Sequence, residues 1–79
     1  MKYLVVEDFS GTPIPFIFPE RIRHDEMREQ LPYAKVLSAG LVELRGGRFV
    51  CFGGSAELSL SARKEDEEIV TSRFQPRQR

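Results

Sequence analysis

The sequence predicts an α+β fold: an antiparallel sheet with two short helices on one side, in the order ββαβββα. Three observations lead there. Two apolar runs flank Gly46-Gly47, a pair that accepts the positive φ of a tight hairpin turn. Two earlier runs of β-formers flank Ser10-Gly11-Thr12-Pro13. A segment that opens with four carboxylates and carries a narrow apolar stripe closes the chain as a helix.

The elements follow in order. Tyr3-Leu4-Val5-Val6 through Phe9 reads as a strand. After the Ser10–Pro13 punctuation, Ile14-Pro15-Phe16-Ile17-Phe18 reads as its hairpin partner, closed by Pro19. Pro13 and Pro15 donate nothing to a ladder, so this strand belongs at a sheet edge. Ile22, Met27 and Leu31 space a short helix over 24–30 that Pro32 ends, with His24 or Asp25 as its cap. Val36–Leu44 and Arg48–Phe52 form the Gly-Gly hairpin. That turn sets Leu44 opposite Phe49 and Val42 opposite Cys51 on one face, with Leu41, Val50 and Phe52 on the other. Gly53-Gly54 interrupts, and Glu57-Leu58-Ser59-Leu60 alternates as a further strand. The second helix spans 61–74, with Glu65–Glu68 as a solvated start and Ile69, Val70 and Phe74 as its stripe. Residues 1–74 therefore make one domain, and 75–79 a frayed tail.

Bulk composition narrows the function. The chain has 79 residues, and twelve Lys+Arg balance twelve Asp+Glu, so no global field attracts a polyanion. One cysteine and one histidine supply neither a disulfide nor a Cys/His zinc site. No apolar run approaches the ~20 residues needed to cross a bilayer. Glu7 and Asp8 break the N-terminal apolar run too soon for a secretory segment, and the lone thiol fits a reducing compartment. A cytoplasmic protein without cofactor or metal is the expectation.

No segment presents a complete reaction site. Cys51 sits in an apolar strand, where a thiol behaves as a small hydrophobe, and no motif of an activated nucleophile surrounds it. His24-Asp25-Glu26 are neighbours about 100° apart on a helix, so they cannot converge on one ion. Glu65–Glu68 lacks the alternate spacing and glycine of a calcium loop. Gly46-Gly47 and Gly53-Gly54-Ser55 match neither phosphate-binding glycine pattern. Arg21, Arg23 and Arg28 could form a small basic patch for one partner, and arginine is enriched at binding hot spots.

Ile17-Phe18-Pro19, His24, Ser38-Ala39-Gly40, Cys51-Phe52-Gly53 with Ser55, and Leu58-x-Leu60-x-Ala62-Arg63-x-Glu65-Asp66-x-x-Ile69 carry a likeness. Over about residues 17–69 the chain resembles small uncharacterised proteins encoded in proteobacterial prophages and other mobile elements. The resemblance implies an accessory role, binding a host or phage protein, and assigns no catalytic residue. The leading expectation is thus a non-enzymatic protein-binding module, for example an inhibitor of a host defence system. Its candidate contact residues are Arg21, Arg23, Arg28, Leu41, Val50 and Phe52. A small nucleic-acid-associated protein is the alternative, and a thiol enzyme using Cys51 and His24 the third. Apolar groups on both faces of the Gly-Gly hairpin further predict a homodimer.

Overall fold

The computed structural model describes residues 1–74, so the expected tail at 75–79 lies outside the described residues. Eight elements follow one another: β1 (Lys2–Glu7), β2 (Pro13–Phe18), α1 (His24–Glu29), β3 (Val36–Arg45), β4 (Arg48–Phe52), β5 (Gly54–Ser55), β6 (Leu60–Ser61) and α2 (Asp66–Phe74). The first four strands form one antiparallel sheet in the order β2-β1-β3-β4, and β5 and β6 make a separate two-stranded ribbon. This is the α+β class the sequence predicts, with the proline-bearing β2 at an edge.

The hairpins close for local reasons. Between β1 and β2, Asp8 Oδ1 accepts from the amides of Ser10 (2.9 Å) and Thr12 (2.8 Å) and from the Ser10 hydroxyl (2.8 Å). Those bonds, the Thr12 amide first, hold the Asp8 carboxyl below the usual carboxylate range. Between β3 and β4 the two-residue turn takes Gly46 to φ +55° and Gly47 to φ +80°. Leu44 then pairs with Phe49 and Val42 with Cys51, the register expected from the turn.

Two expectations are corrected. The alternating Glu57–Leu60 stretch is not a full strand. It is the turn of the β5–β6 ribbon, in which Leu60 alone pairs (with Ser55) and Ser59 adopts φ 57°. The helices also do not share a side. Adjacent strand residues point to opposite faces. Tyr3, Val5 and Val42 cluster with Val70 and Ile69 of α2, whereas Leu4, Phe18 and Ala39 cluster with Met27 of α1 and with Ile22, Leu31, Leu58 and Leu60. Period-two patterning shows that both faces are apolar but not which helix each receives. Here the first face takes α2, and the second takes α1 with the β5–β6 turn.

The first face is close-packed at the β1–β3 contact, where Tyr3 stands opposite Gly40. A Cβ built on Gly40 would lie 2.6 Å from the Phe52 carbonyl oxygen and 3.2 Å from Tyr3 Cε1. Gly40→Ala is expected to destabilise by about 1–3 kcal/mol through overpacking, read as a lowered urea midpoint. Nearby, Ser38 is fully buried and its hydroxyl has no hydrogen-bond partner among the described residues. Ser38→Ala removes that unpaired group, so its urea midpoint is expected to equal or exceed that of the unmodified chain.

Candidate functional site

Two buried polar clusters hold most of the groups that could do chemistry. On the first face Asp66, fully buried, accepts the Tyr3 hydroxyl at 2.5 Å on Oδ2. The same carboxylate takes the Arg63 amide at 2.8 Å and Arg63 Nε at 3.0 Å, and Arg63 Nη2 lies 3.0 Å from Oδ1. The carboxylate is thereby paired and hydrogen-bonded on both oxygens, the condition under which a charge survives burial. Burial, then the Asp66 bond and charge, push the Tyr3 hydroxyl far above its ordinary value. The sequence marked Glu65–Glu68 as a solvated start. Asp66 is instead the first residue of α2 and points into the core. The spacing of Asp66 three residues after Arg63 was visible, but Tyr3, its main partner, lies sixty-three residues away.

Cys51 sits beside this cluster. Burial, followed by the charges of Asp66 and Glu67, raises its thiol pKa from 9.0 to about 11. Such a thiol stays protonated near neutral pH, the opposite of an activated nucleophile. Its backbone amide donates to Glu67 Oε2 at 3.1 Å, so α2 caps an outward-facing donor of the edge strand β4.

On the second face His24 is 3% exposed, not the surface or capping residue its neighbours suggested. Its Nε2 donates to the Gly40 carbonyl at 3.0 Å, and its ring meets Phe18 edge-on at 5.5 Å between centroids. The amide of Arg23 is instead satisfied by Glu26 Oε1 at 2.9 Å, closing the start of α1. Nδ1 of His24 faces Glu57 Oε1 at 3.7 Å, and the Ser55 hydroxyl donates to the same oxygen at 2.9 Å. That Ser55 bond chiefly holds the Glu57 carboxyl below its usual range. Serine, histidine and a carboxylate thus meet, yet not as a nucleophilic triad. Ser55 bonds the carboxylate, and the imidazole nitrogen that would take its proton is held by a backbone carbonyl. His24 and Cys51 lie in clusters on opposite faces, so the thiol–imidazole pair does not assemble.

The candidate contact residues divide. Leu41 pairs with Phe52 across β3 and β4, and Val50 lies on the same face. All three are half-buried, and none belongs to either core cluster among the described residues. The Arg45 guanidinium lies 5.6 Å from the centre of the Phe52 ring and is held by Glu43 at 2.7 Å. The result is an apolar strip with a charged end. Among the described residues no bond joins the three arginines to it: Arg23 chelates Asp25 at 3.0 and 3.1 Å, Arg28 donates to the Ala34 carbonyl at 3.0 Å, and Arg21 is exposed. Arg45, which the sequence reading did not select, is the cation that accompanies the strip.

Three measurements check these assignments. His24→Ala removes the imidazole donor to the Gly40 carbonyl and leaves a cavity beside Phe18, so it is expected to cost about 2–4 kcal/mol in urea unfolding. Native Cys51 is expected to react with a maleimide at pH 7 far more slowly than after denaturation. Because the folded thiol pKa is raised, its stabilising contribution is complete below pH 9 and is lost as pH rises towards 11. Cys51→Ala is therefore expected to flatten part of the alkaline decline in stability.

No family model, curated protein or solved structure matches this chain.

Proposed function

We propose that this chain is a non-enzymatic protein-binding module, acting as an accessory factor of a mobile element on a host protein. The observation that carries the reading is the half-buried strip of Leu41, Val50 and Phe52, flanked by Arg45, which belongs to neither core cluster among the described residues. Interfaces are enriched in aromatic residues and arginine, the types of Phe52 and Arg45, and Leu41 and Val50 add apolar area beside them. The polar clusters support the same reading, since His24, Cys51 and Asp66 are engaged in ways that suit folding rather than turnover. The mobile-element context rests on the resemblance over residues 17–69. Self-association is assigned to the other face of the hairpin, where Leu44 is 58% exposed beside Phe49.

Affinity capture with the tagged chain tests the strip. Val50→Lys keeps the fold, because Val50 belongs to neither core cluster, and is expected to reduce recovery of the specific partner protein at least tenfold. Equal recovery overturns the proposal, and retention abolished by nuclease replaces it with the nucleic-acid reading. Light scattering tests the dimer: a mass near twice 9.1 kDa is expected, falling towards one chain in Leu44→Glu.

A further inference from the structure

On the opposite face, at the opposite edge of the sheet, a groove of about 660 Å³ runs between β2 and α2. Pro13, Pro15 and Ile69 give it an apolar lining. Its charged residues are Asp8, Glu65 and Glu68 against Arg73; Glu65 pairs with Arg63 at 3.5 Å from outside the lining, so Asp8 and Glu68 against Arg73 leave an excess of one negative charge. Among the described residues the Glu68 side chain has neither an ion pair nor a hydrogen bond, and the hydrogen bonds to the Asp8 carboxylate all go to Oδ1.

The backbone beside the groove has the same polarity. The Asp8 amide donates to the Thr12 carbonyl at 2.9 Å and the Glu7 amide to the Lys35 carbonyl at 3.0 Å, so even-numbered β1 residues bond towards β2 and odd-numbered ones towards β3. In the β1–β2 register, Leu4 and Val6 then form the bonded pairs with Phe16 and Ile14. Pro13, Pro15 and Ile17 therefore turn their carbonyls out of the sheet, and only Ile17 has an amide to turn with them. This edge accepts hydrogen bonds but barely donates, so it cannot complete an ordinary ladder with another strand.

We infer that the β2–α2 groove is a second interaction surface, one that binds an extended segment of a partner protein in which apolar residues alternate with Lys or Arg. Apolar side chains enter against Pro13, Pro15 and Ile69. Ammonium or guanidinium groups meet Glu65, Glu68 and the outward carbonyls, which together lack donors and carry excess negative charge. An acidic peptide or a nucleic-acid backbone meets repulsion at the same place. The inference goes beyond the Leu41–Phe52 strip, which lies on the other face, and does not depend on it.

Random dodecamers displayed on phage and selected on the immobilised full chain test this directly. The expected consensus alternates apolar residues with Lys or Arg. The synthetic consensus peptide is expected to bind the Glu65→Lys, Glu68→Lys chain at least tenfold more weakly in fluorescence anisotropy, and Val50→Lys with unchanged affinity. Amide shifts on the unmodified 15N-labelled chain, expected at Asp8, Ile14, Glu68, Ile69 and Ser72, give a reading independent of the variant's folding. No consensus, a consensus without cations, or shifts confined to other residues overturns the groove. If the partner complex lost in Val50→Lys persists meanwhile, the strip stands without it.

Discussion

The buried Asp66 carboxylate is the constraint on which the rest of the structure depends. It sits at the first position of α2 and receives the hydroxyl of Tyr3, in the central pair of strands, together with two donors of Arg63. A carboxylate removed from water needs its lone pairs answered, and the observed docking of α2 answers them with Tyr3 and Arg63. That docking lays Ile69 and Val70 over Tyr3, Val5 and Val42 and brings Glu67 to the Cys51 amide. The helix that covers the first face thus also shields the β4 edge.

The second face is tied down at the same cross-strand pair. Tyr3 stands opposite Gly40, whose missing Cβ lets the Tyr3 ring, Ala62 and the Phe52 carbonyl crowd together. The Gly40 carbonyl also accepts His24 Nε2, which fixes the start of α1 against Phe18. One residue pair in the middle of the sheet therefore anchors both helices, one through a side chain and one through the backbone. In a chain this short, with no disulfide available, two buried polar ties substitute for part of the specificity a larger core would supply.

These ties have a functional consequence. The groups most able to do chemistry are used to position helices, and the thiol is held protonated by burial and neighbouring carboxylates. At the surface, the Leu41–Phe52 strip and the β2–α2 groove combine apolar and charged groups. The strip on the second face carries Arg45, whereas the β2–α2 groove is bounded mainly by acceptors and carboxylates.

Local chemistry in the sequence determined much of this protein. Gly46-Gly47 set the β3–β4 register, because a two-residue turn leaves no freedom in which residues face each other. Pro13 and Pro15 placed β2 at an edge, because a residue without an amide hydrogen cannot sit inside a ladder. The same patterning placed Leu41, Val50 and Phe52 together on one face. Tertiary structure alone decided which helix covers which face, since an apolar stripe carries no address for its partner. It also decided the roles of His24 and Asp66. Each looked like a solvated residue at a helix start, because the groups that make its burial tolerable, Gly40 and Tyr3, are distant in the chain and meet it only after the sheet has formed.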